Sequence, residues 1–579
     1  MSHQPHFATA LRATSVAALA LVTACAPVTS QRVTPVTGYD LVIANGRIVD
    51  GTGNPWFYGD IAIRGDRIAR VASRGGLSGV PSRHFVDAAG MVVAPGFIDI
   101  QSHSWNQLLT GDGRVISKVT QGVTTEILGE STTPAPSNEL TAANAGIDLN
   151  DTTQRARLQR SFAGARGFDT WLRALEAHGN SVNVGSYLGA STVRAYVKGQ
   201  AQGAPNAVEL DTMRALVREA MKDGAFGIAT ALIYQPGSYA TTQELAEMAR
   251  AMSPYQGSYI THIRSEGDQL LEALDEAFAI GRHGDVPVVV YHLKASGRVN
   301  WPKAALAVAK IDSARRAGQD VTATMYPYSA SGNSLSACLP DWVPAEGRFF
   351  DNLRDSTLRA RIVREMLSGE ESDGCASDGP EAMMVVGFRT DSLRKYEGLR
   401  LNQIADSLGR DWANALIDLV LAENNRLSKL NFRMADENVA MQLAQPWVVI
   451  GSDAGGQNPD SARSLTHPRA YGTFTRILGK YTRDEGVLRL EDAVRKMTSA
   501  TAQILRLNDR GLLREGMFAD IVVFDPATIA DRATYVQPHQ LSVGVRHVWV
   551  NGVQVLQDGT HTGATPGRAV RGPGWRAQD

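Results

Sequence analysis

From Tyr39 onward the chain alternates apolar and polar side chains. "YDLVIANGRIVDG" and "GDIAIRGDRIARVA" place apolar residues at nearly every second position, the period of a strand with one buried face. Asn45-Gly46 and Gly65-Asp66 are pairs that favour hairpin turns. The far end repeats the style in "GMFADIVVFDP" and "VRHVWVNGVQVLQDG", with Asn551-Gly552 as a further turn. The pattern predicts a small β-sandwich domain assembled from both chain ends, residues 39–94 and 506–567, with 568–579 as a tail.

Between these ends the pattern changes to short apolar runs separated by segments of helical period. Eight runs read as strands: "GFIDIQSH", "GVTTEILGE", "NVGSYLGA", "GAFGIATAL", "SYITHIR", "VPVVVYHLK", "DVTATMYPYS" and "WVVIGSDAG". Segments such as "TTQELAEMARAMS" and "LLEALDEAFAIGRHG" carry apolar residues at helical spacing. Strand–helix alternation repeated eight times predicts an α/β fold, a (β/α)8 TIM-like barrel over residues 95–505. Most runs end in polar or titratable residues, including His103, Glu130, His262, His292, Tyr326 and Asp453. Chemistry in such barrels sits at that end of the strands. The seventh and eighth runs are separated by a long insertion at about 332–446, a candidate lid or substrate wall.

Composition narrows the class. At 579 residues the chain is long enough for a large enzyme domain and a smaller one. It is 43% hydrophobic and 20% charged with a net charge of −1, which gives no case for a nucleic-acid partner. The N-terminus, "MSHQPHFATALRATSVAALALVTACAP", has Arg12 followed by a short apolar run and small residues. That is the signature of an export signal and is too short to span a bilayer. Residues 1–26 are therefore expected to be a signal peptide and 27–38 a linker. "VTAC" resembles a lipoprotein box, so the expected place is the periplasm, lipid-anchored at Cys25, with no other contact to membrane. Two further cysteines, Cys338 and Cys375, either pair in an oxidising compartment or remain buried thiols.

His262 and His292 end consecutive strands, where two imidazoles can converge on one ion. Asp453, followed by glycines, is placed to move a proton between water and a leaving amine. A small-molecule substrate fits a site of this kind.

Taken together, "DLVIANGRIVDGTG", "APGFIDIQSHS", "QGVTTEILGE", "GAFGIATALIYQPGSYA", "YITHIRSE", "YHLKASG", "YPYSAS", "LPDW", "GSDAGG", "HPRAYGTFTRIL" and "GMFADIVVFDP" resemble the amidohydrolase superfamily, and within it the N-acyl-D-amino-acid deacylases (D-aminoacylases). The resemblance implies a metal-dependent barrel with a small β-sandwich and hydrolysis of an N-acyl amide. It also implies that Lys294, Tyr326, Ser331 and Arg469 meet the substrate's carboxylate, and that Tyr234 lines the pocket.

Two departures stand out. The family usually has His-x-His at the end of the first strand, where this chain has Gln101-Ser102-His103. It usually has a metal-binding cysteine after the second strand, where this chain has Ser131, preceded by Glu130. A hydroxyl is a poor ligand, so Glu130 is expected to supply the missing anion. A superfamily deacetylase acting on N-acetylglucosamine 6-phosphate resembles this solution in some members. The expected centre is one tightly held divalent ion, zinc first and iron, cobalt or manganese next, on Glu130, His262 and His292. His103 then either stands beside it or joins Glu130 and Asp453 at a second, weaker ion. Arg264 and Glu266 are expected to form structural pairs near the metal ligands, and Glu126 to lie in the barrel wall. Competing readings are cyclic-amide or dipeptide hydrolysis at the same site, and an exported binding protein with a vestigial barrel.

Overall fold

The computed structural model describes residues 38–141, 147, 151–164, 166–368 and 375–576. The signal peptide, Cys25 and almost all of the linker lie outside the described residues. No helix among those described is long and apolar enough to cross a membrane.

Eight parallel strands form the centre: β1 (Phe97–Asp99), β2 (Val123–Leu128), β3 (Asn183–Ser186), β4 (Gly227–Ala231), β5 (Ser258–His262), β6 (Val288–Val290), β7 (Val321–Met325) and β8 (Val448–Ile450). Each expected run contains one of them. Neighbours in sequence are neighbours in space, with β1–β2–β3 in register and β4 to β8 in a second ladder. The two ladders meet at Tyr187, beyond which Leu188–Gly189 pair with β4. The circle closes between β8 and β1 just beyond both strands. There the Asp453 N–H donates to the Gln101 carbonyl (2.8 Å) and the His103 N–H to the Ala454 carbonyl (3.3 Å). Beneath this closure the buried Lys118 ammonium donates to Asp99 (2.6 Å) and to the Ala454 carbonyl (2.8 Å).

Helices cover the strands as their period predicts. In Thr242–Met252 the residues Leu245, Met248, Ala249 and Met252 are buried, and Thr241 caps the N-terminus by accepting from the Glu244 N–H. Strands from both chain ends share a nine-stranded sheet, in which Ile521–Phe524 pairs with Val92–Pro95. Gly65-Asp66 and Asn551-Gly552 are turns between paired strands. Asn45-Gly46 is not: it forms a bulge inside the single strand Tyr39–Ile48, with Asn45 at φ 63°. The Asn45 N–H donates to Asp60 (2.9 Å), and a Cβ at Gly46 would lie 2.4 Å from Val93. The segment set apart as a tail packs along the barrel, where Val570 is buried and its N–H donates to the Val184 carbonyl (2.8 Å).

The insertion between β7 and β8 has its own core, including Leu335, Val343, Ile362, Val385 and Leu416. It carries an antiparallel sheet of Ser331–Ser334, Ser428–Asn431 and Met383–Val386. Cys338 and Cys375 form a disulfide within it.

Candidate metal centre

Four strand ends deliver the central side chains. Glu130 follows Gly129 beyond β2. Gly129 has φ +112°, and a Cβ there would lie 2.2 Å from the Tyr187 carbonyl oxygen, so only glycine lets the chain turn here. His262 is the last residue of β5, and His292 lies two residues past β6. Ser131 (φ 65°), His292 (φ 32°) and Asp453 (φ 51°) all occupy left-handed backbone. For non-glycine residues that conformation costs about 1–3 kcal/mol each and tends to gather at functional sites.

One Glu130 oxygen, Oε1, lies 3.3 Å from His262 Nδ1 and 3.5 Å from His292 Nε2. Ligand atoms on a tetrahedral zinc with bonds of about 2.0–2.1 Å stand roughly 3.3–3.4 Å apart, so the spacing fits such an ion. The outward nitrogens of both rings face one further carboxylate. Glu266 Oε1 is 3.0 Å from His292 Nδ1 and 3.6 Å from His262 Nε2. A carboxylate behind a ligating imidazole is the usual supporting arrangement of a metal centre. Arg264 and Glu266 were expected as structural pairs near the metal ligands. Arg264 pairs with Glu276 (2.9 Å), while Glu266 does lie beside the ligands, turned inward to the histidines and Lys294 (2.5 Å). Its position four residues after His262 in "THIRSE" is the signal for that supporting role.

A second cluster holds His103, Glu130 and Asp453. His103 Nε2 is 2.9 Å from Asp453 Oδ1 and 3.6 Å from Glu130 Oε2. Here the lone pairs are already engaged. Gln101 Nε2 donates to Glu130 Oε2 (2.7 Å), while the Gln101 side-chain oxygen Oε1 accepts from the Thr324 hydroxyl (2.9 Å). That second bond fixes the amide, so its protons rather than its oxygen face the carboxylate. Arg469 Nη1 sits 2.6 Å from the other Asp453 oxygen. The first cluster fits an ion; the second presents donors where a cation would have to sit. Ser131, at the family's cysteine position, turns its hydroxyl to Ser191 (3.0 Å). Glu126 is tied to Ser102 in the barrel interior and belongs to neither cluster.

The electrostatics favour a cation. Burial works against the charge on Glu130, but bonds to His262 and His292 hold it well below the usual carboxylate range. Burial also opposes the charge on Asp453, yet Arg469, His292 and His103 bring it down to about 2. Burial and Lys294 lower His292, but Asp453, Glu266 and Glu130 outweigh them and raise it to about 9. A field strong enough to hold a proton there also attracts a metal ion.

The centre opens into a cavity of about 600 Å³ lined by His103, Tyr234, Lys294, Ser331, Asn431 and Arg469, among others. Three carboxylates on its wall (Glu130, Glu266, Asp453) face two cations (Lys294, Arg469), while Arg433 is neutralised by Asp378. The proton that His292 holds balances the third carboxylate, and a divalent ion in that proton's place would leave one positive charge. Tyr326 is fully buried behind the wall: the Arg469 guanidinium covers its ring (4.7 Å) and its hydroxyl faces Met434. Tyr234 packs edge-on against His262, with ring centres 5.6 Å apart.

The sequence profile of the amidohydrolase family matches residues 404–556. Over 535 residues, 92% of this chain and 97% of the relative, the chain is 37% identical to the D-aminoacylase of Alcaligenes xylosoxydans xylosoxydans. The chain belongs to the D-aminoacylase family of amidohydrolases. Solved members share its fold. A D-aminoacylase studied for one-metal activation and second-metal attenuation of its binuclear centre superposes with a TM-score of 0.75 at 35% identity, covering 92% of this chain and all of that one. An N-acyl-D-glutamate deacylase from Bordetella bronchiseptica, complexed with zinc and a phosphonate mimic of the tetrahedral intermediate, does so at 0.75 and 30%, with the same coverage.

Proposed function

We propose that this amidohydrolase cleaves the amide bond of N-acyl-D-amino acids or closely similar N-acylated substrates, using one divalent ion, most simply zinc. The observation that carries this reading is the convergence of Glu130, His262 and His292 at tetrahedral spacing beside a proton-accepting carboxylate, Asp453. When bound, the ion polarises the acyl carbonyl and lowers the pKa of water.

The chain's own residues do the rest. Asp453 is ionised at neutral pH and hydrogen-bonded to His103, so the pair can accept the water's proton and return it to the leaving nitrogen. Arg469 and Lys294 supply the positive wall for the carboxylate, with Ser331 and Tyr234 completing the pocket. Lys294 Nζ lies 2.7 Å from His292 Nδ1 and donates to Glu266 (2.5 Å), so its charge is already shared with a carboxylate of the wall. The preference for a single ion is supported by Gln101, whose amide N–H donates to Glu130 Oε2 on the side of the second cluster.

The proposal extends to the compartment. The export-like N-terminus supports secretion to the periplasm with lipidation at Cys25, and a disulfide in the insertion suits an oxidising space. Cys25→Ser should release the protein from the membrane fraction. Full-length wild type in the cytosol would refute export.

The function is tested by metal analysis of the purified protein followed by a screen of N-acyl D- and L-amino acids. About one ion per chain and turnover confined to the D series are expected. A metal-free protein, or hydrolysis of the L series alone, would overturn the reading.

A further inference from the structure

A second chamber adjoins the metal cavity. It encloses about 1100 Å³ and shares Thr132, Ile233, Tyr234, Gln235 and Ser334 with the metal cavity's wall. Its lining sets an apolar patch of Leu140, Pro236, Leu339, Phe349 and Phe350, from both barrel and insertion, among hydroxyl and amide side chains and Glu139, Glu346 and Lys198, the last paired with Glu209. Leu140, which lines the chamber, is half exposed, and an apolar ligand lying against it would remove apolar surface from water. The roof is anchored: Gln235 Nε2 donates to the Asp341 carboxylate (2.8 Å) and the Tyr239 hydroxyl to the Asp341 carbonyl (3.1 Å). The two cavities also have a polarity. Lys294, Arg433, Arg469 and Asn431 line only the metal cavity, whereas the chamber opens past Tyr234 and Thr132.

We infer that this chamber receives the acyl part of the substrate, and that the enzyme's preferred substrates carry a long, mainly hydrocarbon acyl chain. The inference rests on the proposed amide hydrolysis and deepens it. An amide whose amino-acid carboxylate meets the cationic wall must direct its acyl end away from that wall, toward the chamber. The metal cavity alone, at about 600 Å³, is within the size range of ordinary small-molecule pockets. An N-acetyl amino acid needs nothing more, so a further 1100 Å³ serves a larger group. The apolar patch of Leu140, Pro236, Leu339, Phe349 and Phe350 is where a hydrocarbon chain would lie.

The test compares N-acetyl with N-decanoyl forms of one D-amino acid. Each buried methylene favours binding by about 0.8 kcal/mol, so burial of only two of the eight methylenes that distinguish decanoyl from acetyl already gives decanoyl about a 10-fold advantage in kcat/KM, the minimum expected. Two substitutions narrow the chamber from opposite walls, Ala195→Trp on the barrel and Ala337→Trp on the insertion, so that one remains informative if the other misfolds. In either, the decanoyl-to-acetyl ratio should fall at least 10-fold. Calorimetry with decanoate alone gives a reading independent of turnover: wild type should bind it and Ala337→Trp should not. Loss of the function proposal would appear as no hydrolysis of any N-acyl-D-amino acid while decanoate still binds. A wild-type ratio near one, a ratio untouched by both substitutions, or a wild type that fails to bind decanoate would each overturn the chamber's role.

Discussion

Replacing Glu266 by Gln removes one charge and almost no volume. In the structure Glu266 Oε1 is 3.0 Å from His292 Nδ1, 3.6 Å from His262 Nε2 and 2.5 Å from Lys294 Nζ. It therefore supports both imidazoles of the centre and neutralises the one buried ammonium beside them. Loss of such a supporting carboxylate generally weakens metal affinity about 10–100-fold, or roughly 1.4–2.7 kcal/mol. The upper end is expected here, because His292 loses its partner, His262 loses the nearest carboxylate to its outward nitrogen, and Lys294 is left as an unbalanced cation next to the centre. The assay is competition for zinc against a chromophoric chelator, with circular dichroism to confirm the fold. Turnover at saturating zinc should recover more fully than affinity, since Glu266 touches neither reacting atom. If Glu266→Gln holds zinc within about threefold of wild type, the carboxylate does not support the centre and the proposed role of Glu266 fails.

Glu130→Ala should lose the ion and the activity together, whereas Gln101→Ala and Ser131→Ala should keep about one ion per chain by elemental analysis. The reverse pattern would show that the carboxylate does not replace the family's cysteine. Asp453→Ala should retain the ion but lose turnover, which stopped-flow or endpoint product assays would detect. Arg469→Met should lower kcat/KM by about 2–5 kcal/mol on a carboxylate-bearing substrate; because Arg469 also pairs with Asp453, an N-acyl amine lacking the carboxylate is the control, and an equal loss on both would assign Arg469 to Asp453 alone. Lys496, buried and donating to the Val448 carbonyl (2.8 Å), has its pKa lowered to about 7, first by burial and then by Arg495. Between that value and about 10.4 for an unfolded lysine, the unfolded chain binds the extra proton. Stability should accordingly rise from about pH 7 to about pH 10, and Lys496→Met should flatten the rise in urea-melt midpoints.

Periodicity alone determined much of this protein. The alternation near both chain ends and the eight apolar runs with polar ends specify strands, because burial of one face or of both leaves a period in the sequence. The helices were legible for the same reason, and so were His262 and His292 as candidate ligands; Glu130 entered as a ligand through the resemblance to the family, at the step beside its cysteine position. The hairpin reading of Asn45-Gly46 failed because local turn preference is the same for a hairpin and for a bulge. Only the contacts with Asp60 and Val93, distant in sequence, select between them. Tertiary structure also decided which charges act on which. Glu266 reaches the histidines while Arg264 turns to Glu276. Gln101 turns its protons to Glu130 because Thr324, 223 residues away, holds its oxygen. Arg469 covers Tyr326 and reaches Asp453. Side-chain type and spacing along one strand fix which groups stand at the barrel's mouth. The direction in which each donor or acceptor points is set by partners on other strands, and that exists only once the barrel has closed.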